Sequence, residues 1–165
     1  MGVKLLDVKQ SSKRTRSTGR APKQPLNLGM LPNLFGYQLR LAQRAIFADF
    51  AETVGSEDIS PGLFGILVLI EANPGLKQQR LAEAAHLDRS TVVSVIDKLE
   101  GRSLVQRRAA DRRSNGLFLT EDGATLLRAL KRKVLQHERR LAEHLSENEQ
   151  RELASLLARI LPDRR

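Results

Sequence analysis

Residues 76–120, LKQQRLAEAAHLDRSTVVSVIDKLEGRSLVQRRAADRRSNGLFLT, constrain this chain more than any other stretch. Two short segments of helical apolar period are followed by two apolar runs that flank a cluster of arginines. The pattern predicts helix, helix, strand, turn and strand in that order.

The second helix can be checked residue by residue. Asp88 is placed to cap it, a carboxylate accepting from the free amides of the first turn. Val92, Val95, Ile96 and Leu99 then recur at i, i+3, i+4 and i+7, which buries one face. Arg89, Ser90, Thr91, Val93, Ser94 and Lys98 occupy the other. Side chains of this size let a helix enter a major groove, where hydroxyls reach either base type and a valine methyl meets a thymine methyl. An ordinary surface helix carries the same polarity, so its surroundings decide. Upstream, residues 76–85 predict a shorter helix with Leu81, Ala82 and Ala85 inward and Gln78 near its exposed start, joined to the second by His86, Leu87 and Asp88. Downstream, Gly101 is expected to end the second helix in the left-handed conformation that glycine enters freely. Leu104 with Val105, and residues 117–119, read as paired strands, with turn chemistry at Ser114, Asn115 and Gly116. Between them Arg107, Arg108, Arg112 and Arg113 are opposed by Asp111 alone. A solvated loop is one reading of that cluster. The sharper one is a wing laying guanidinium groups along phosphates or into a minor groove, with Asp111 steadying an arginine by a fork contact. The whole is the order of a winged helix-turn-helix.

RLAEAAHLDRSTVVSVIDKLEGRSLVQRR followed by DRRSNGLFLTEDG resembles the DNA-binding core of the MarR family of bacterial transcriptional regulators. Asp111, Arg113, Leu119, Thr120 and Gly123 fall on that family's D-x-R and L-T-x-x-G positions, and the resemblance runs from about residue 31 to 161. It implies a mainly α fold with a small β-hairpin wing. Within a domain of residues 31–165, the winged helix-turn-helix would occupy about 60–120, and dimerisation helices about 31–54 and 121–161. Lys77 stands where the family has a threonine or serine cap, and Val93-Ser94 where threonine or serine precedes arginine. The first departure weakens the start of the shorter helix; the second alters which bases are read.

Charge is distributed unevenly. Of the net +9, residues 1–30 hold +6, from Lys4, Lys9, Lys13, Arg14, Arg16, Arg20 and Lys23 against Asp7. SSKRTRSTGRAP has too little apolar content to order itself, so residues 1–30 are expected to be a disordered basic tail, either a solubilising leader or an arm adding nonspecific DNA affinity. That tail lacks the apolar stretch of a secretory signal. With no cysteine, the chain cannot use the thiol-oxidation switch of one MarR branch. The longest apolar run, residues 63–70, is far short of the roughly 20 needed to span a bilayer and reads as a core helix. A bacterial cytoplasmic, nucleoid-associated location is the simplest expectation.

The ends of the chain read as partners for a second copy. The first helix, about 31–54, aligns Phe35, Leu39, Ala42, Ile46 and Phe50 on one face, with Leu31 and Leu34 at its start. Ser60-Pro61 opens a second helix, and Thr120 with residues 121–123 a long one through Leu126, Leu130, Val134, Leu141 and Leu145. Ser146 with Glu149 forms a capping box before a last helix bearing Leu153, Leu156, Leu157, Ile160 and Leu161. That stripe either packs on its own domain or, as the resemblance implies, interlocks with the first helix across a two-fold axis, setting two recognition helices about one DNA turn apart on a palindrome.

Tyr37, Arg40, Arg44 and Phe47 share another face of the first helix, and Phe64 is placed to join them. Two arginines between aromatic rings suit a planar aromatic acid or the phosphates of a coenzyme A thioester, although solvated arginines beside core rings would show the same spacing. LFGYQLRLAQRA resembles the front helix of MarR members that govern hydroxycinnamate or benzoate breakdown through CoA-thioester effectors. His137 and His144 lie seven apart, but no carboxylate or third histidine joins them at metal-ligand spacing, and His86 reads as a packing or phosphate-facing residue. No metal or cofactor is expected. The chain has no nucleophile elbow, phosphate-cradling glycine loop or paired catalytic constellation, so enzymatic activity is not expected. Three classes stand in order: a ligand-responsive regulator acting as a homodimer, an architectural DNA binder, and a helical interaction protein.

Overall fold

The computed structural model describes residues 26–111 and 114–160. The basic tail as far as residue 25, Arg112, Arg113 and Leu161 lie outside the described residues, as does the side chain of Asp111. After a 3-10 turn at Leu31–Asn33, α1 spans Phe35–Val54 and passes through a second 3-10 turn, Gly55–Glu57. There follow α2 (Pro61–Ala72), α3 (Gln78–Ala85), α4 (Arg89–Gly101), β1 (Val105–Asp111), β2 (Ser114–Leu119), α5 (Glu121–Ala142) and α6 (Glu147–Ile160).

Helix starts follow local chemistry. Ser60 Oγ accepts from the Leu63 amide at 3.3 Å with Pro61 in the first turn, and Thr120 Oγ1 accepts from the Gly123 amide at 2.9 Å. At α6, Glu149 Oε2 accepts from the Ser146 amide at 2.8 Å and its hydroxyl at 2.7 Å, while the Glu149 amide donates to Ser146 Oγ at 3.4 Å. Lys77 heads α3 and provides no side-chain cap, because an ammonium has no acceptor to give.

The core is assembled by α2, α3, α4, α5 and the C-terminal end of α1, through Phe50 and Val54, around the base of the hairpin. Leu67, Leu81, Ile96, Leu99 and Leu127 are completely buried, and Val92, Leu117 and Leu130 nearly so. Burying each such side chain is worth about 1.5–3 kcal/mol. The hairpin is antiparallel, pairing Val105 with Leu119, Arg107 with Leu117 and Arg108 with Gly116, with an irregularity between Ala109 and Asp111. Its second strand is also sewn to the loop before α3: the Gly75 amide donates to Leu117 O and the Leu117 amide to Leu76 O, both at 2.9 Å.

Several boundaries differ from those expected. Leu34 is extended and separates the first 3-10 turn from α1, so the first helix begins at residue 35 rather than 31. Leu76 pairs with the hairpin instead of opening α3. Gly101 is the last residue of α4, and the left-handed residues that turn the chain are Ser103 (φ 56°) here and His86 (φ 54°) after α3. Residues 114–116 belong to β2 rather than to a turn, and Arg107 and Arg108 are strand residues rather than tip residues. The role of Gly116 is close approach: a methyl group there would lie 2.6 Å from Gly75 O. Leu145 lies beyond α5, in the turn to α6. Among the described residues no helix is long and apolar enough to cross a membrane.

Candidate nucleic-acid interface

The exposed edge of α4 is organised by its cap. Asp88 Oδ1 accepts from the Thr91 amide at 2.8 Å and from Ser90 Oγ at 2.5 Å, and Oδ2 from Thr91 Oγ1 at 2.7 Å. Both hydroxyl protons are thereby spent, so the oxygens of exposed Ser90 and half-buried Thr91 are left as acceptors. The Ser90 hydroxyl, with the amide and hydroxyl of Thr91, holds the Asp88 carboxyl well below the usual carboxylate range. A carboxyl depressed in the folded state contributes stability that is complete above its unfolded value of about 3.9 and is lost as pH falls through the folded value. Asp88→Ala is therefore expected to lower Tm at neutral pH, with the gap to the unsubstituted protein closing as pH falls below about 4 in a series of thermal melts.

Beyond the cap, Arg89, Val93 and Ser94 are exposed, Val93 at 44%. Gln78 and Gln79 join Arg89 and Val93 in lining an open groove where the starts of α3 and α4 meet. Lys98 points away from that groove, its Nζ 3.0 Å from Asp58 Oδ2. Beside it Arg102 donates to the carbonyls of Glu57 at 2.7 Å and Asp58 at 3.0 Å, fastening the end of α4 to the segment that leaves α1.

The two described wing arginines diverge because successive strand residues point to opposite faces. Arg108 is exposed, its guanidinium 4.0 Å from the centre of the Phe118 ring. Arg107 points inward, with Nη2 2.6 Å from Asp97 Oδ1 and Nη1 bonded to Glu100 Oε2. Because a guanidinium can only donate, the end of the Gln78 amide that faces Arg107 is assigned as its oxygen, which accepts from Nε at 2.7 Å and Nη2 at 3.2 Å. The Arg107 amide also donates to Glu100 Oε1 at 3.0 Å, and this bond, with the guanidinium, holds the Glu100 carboxyl below its ordinary value.

On α1 the Arg40 guanidinium lies 5.0 Å from the centre of the half-buried Tyr37 ring, while Arg44 and Phe47 are exposed. Phe64 packs instead on Phe50, ring centres 6.3 Å apart. Among the described residues of α6 none is buried. Leu153, Leu156 and Ile160 are exposed, and Leu157 half-buried. Phe35, 64% exposed, lines a groove with Leu156, Arg159 and Ile160, and Leu31 and Leu34 are exposed beside it.

The sequence reading missed one cluster. Buried His137 meets Asp49 Oδ2 through Nδ1 at 2.5 Å and presents its ring edge-on to Phe50, while Arg140 reaches Asp49 at 3.1 Å and Thr53 Oγ1 at 2.5 Å. The hydrogen bond from His137, aided by Arg140, depresses the Asp49 carboxyl. A carboxylate therefore does join His137, but from α1, and it forms a structural tie between α1 and α5. The available signal was spacing: Asp49 and Thr53 lie one turn apart, as do His137 and Arg140. No group of His, Cys, Asp and Glu among the described residues could hold a metal ion.

The MarR family model matches residues 59–114. A Thauera aromatica protein described as a transcriptional regulatory protein for the hcr operon is 36% identical over 135 residues, covering 80% of this chain and 81% of its own. The chain belongs to the MarR family. Among solved MarR-type structures, the transcriptional repressor CouR bound to p-coumaroyl-CoA superposes with a TM-score of 0.79 at 37% identity, covering 84% of this chain and 99% of that one. CouR bound to a 23-mer DNA duplex gives 0.74 at 39% identity, over 82% and 98%. This MarR protein is accordingly a transcriptional regulator built on the winged-helix fold, and not an enzyme.

Proposed function

We propose that this regulator is a repressor of aromatic-compound catabolic genes that holds a palindromic operator as a homodimer and is released by a small aromatic acid or its CoA thioester. One observation carries the reading: a repressor 37–39% identical over more than four-fifths of the chain has been solved both with p-coumaroyl-CoA and with DNA. In this reading residues 59–120 form the DNA-reading lobe, with Arg89, Val93 and Ser94 on bases and the wing arginines Arg108, Arg112 and Arg113 near phosphates. The ends of the chain, α1 and α6, form the dimer. Tyr37, Arg40, Arg44 and Phe47 receive the effector, the rings stacking on its aryl group and the guanidinium groups meeting its anionic end. The basic tail adds attraction that salt weakens and sequence does not direct.

The test is titration of the operator complex, in the presence of a fixed labelled duplex, with p-coumaroyl-CoA, feruloyl-CoA and free p-coumarate. Release at micromolar ligand is expected, and Arg40→Ala with Arg44→Ala should raise the concentration required about tenfold or more while leaving operator affinity unchanged. Release by none of the three would remove the effector class. Equal affinity for operator and random DNA, where a specific regulator shows roughly a thousandfold preference or more, would favour a sequence-independent architectural role.

A further inference from the structure

Arg107 is enclosed by groups that take up four of its five N–H donors. Its side chain is 23% exposed and lies on the inward face of β1, between Asp97 and Glu100 of α4 and Gln78 at the start of α3. Its Nε, Nη1 and Nη2 atoms are all engaged. One cation between two carboxylates also leaves the cluster with a net negative charge, which repels a DNA backbone. Arg108, one residue on, faces the other way and is open.

The consequence falls on Gln78. A primary amide presents an acceptor at one end and two donors at the other, and a freely rotating glutamine can offer either. Here Arg107 occupies the oxygen, so the NH2 group is what Gln78 has left for the groove it shares with Gln79, Arg89 and Val93. We infer that Arg107 is a positioning residue: it locks α3, α4 and β1 into one geometry and turns Gln78 so that the side chain meets the duplex as a donor, against an acceptor on a base edge or a phosphate oxygen. The inference rests on the reading of α4 as the base-reading helix.

The test uses the full-length protein and a duplex that it selects itself from a randomised library. Gln78→Glu preserves the bond to Arg107, since a carboxylate accepts from guanidinium better than an amide does, but it removes the donors and adds a negative charge. Its Tm should be equal or higher and its affinity for the selected duplex lower by about tenfold or more. Arg107→Lys keeps the charge but loses the planar fork, and should weaken binding by about tenfold with no change in the slope of log Kd against log salt. Adding Gln78→Ala to Arg107→Lys should cost little more, because the two act through one contact. A direct phosphate contact predicts the reverse: Arg107→Lys near normal, Arg107→Met with the salt slope reduced by about one, and losses that add. Reselection with Gln78→Ala separates the two acceptors. Relaxed preference at one position per half-site identifies a base edge, whereas an unchanged preference, with the loss abolished by a methylphosphonate at one position, identifies a phosphate. If Gln78→Glu bound like the unsubstituted protein, the inference would fall. If the unsubstituted protein selected no sequence, the reading of α4 itself would fall instead.

Discussion

Leu156→Glu is expected to convert the protein to a monomer in sedimentation and to weaken operator binding a hundredfold or more, because linked half-site binding typically contributes that much avidity. The expectation rests on where α6 puts its apolar atoms. Leu153, Leu156 and Ile160 are spaced for one face, yet among the described residues of the helix none is buried against its own chain. Phe35, exposed beside Leu156 and Ile160, extends the same surface to the start of α1. A glutamate placed in a seam closed by a second copy would have to be desolvated, which costs more than the lost leucine contacts even with Arg159 in the same groove. The core lies in α2 to α5, the end of α1 and the hairpin, and α6 adds no buried residue to it, so the variant should keep its helical circular dichroism. Arg151→Glu, at an exposed position of the same helix, is the control and should remain dimeric. A dimer that survived Leu156→Glu would show that the two copies meet elsewhere.

Gly123→Ala is expected to be strongly destabilising, because among the described glycines residue 123 has the closest main-chain neighbour. Helix propensity alone argues for the opposite sign, since alanine inside a helix is favoured over glycine by about 1 kcal/mol. Sterics decide otherwise. A methyl at residue 123 would lie 2.0 Å from Leu104 O and 2.9 Å from its carbonyl carbon. Those are main-chain atoms fixed by further bonds: the Thr120 amide donates to Leu104 O at 3.1 Å, and Thr120 Oγ1 to Ser103 O at 2.6 Å. Neither strand base nor helix start can withdraw without undoing this junction. The expected cost is about 3 kcal/mol or more, a fall in Tm of roughly 6–12 °C for a domain of this size, measured by calorimetry. Gly65→Ala, in α2, meets nothing within 4 Å and is the contrasting case, expected to be neutral or mildly stabilising.

What the sequence made legible was whatever depends on neighbours along the chain. Asp88, Ser60, Thr120 and the Ser146–Glu149 pair cap their helices because caps are read from three or four consecutive residues. The periodic apolar positions Val92, Ile96 and Leu99 are buried for the same local reason. What it hid was partnership across the fold. Asp97 and Glu100 read as solvent-facing acids on a surface helix until β1 brings Arg107 between them. Asp49 is 88 residues from His137; the one-turn spacings of Asp49 with Thr53 and of His137 with Arg140 mark two polar faces but not that those faces meet. Intrinsic preference puts the left-handed turn after α4 at Gly101, yet the chain turns at Ser103, where the Leu104 amide bonds back to Leu99 O at 2.9 Å and fixes the backbone. In the wing, counting arginines located a basic patch but not its two faces, because the hairpin register decides which of Arg107 and Arg108 is inside.

The stitching of β2 to residues 75 and 76, together with the clamp of Arg107 on α4, has a mechanical consequence. The hairpin cannot swing aside on its own, since its base, both short helices and the loop before them share one set of bonds. On the proposed reading, an effector would loosen the grip on a gene only by carrying each half of a two-copy assembly bodily, so the quantity it would alter is the pitch between two rigid jaws. A duplex whose half-sites were moved apart or together by a base pair would then restore, for the loaded form, a fit that the natural spacing denies it.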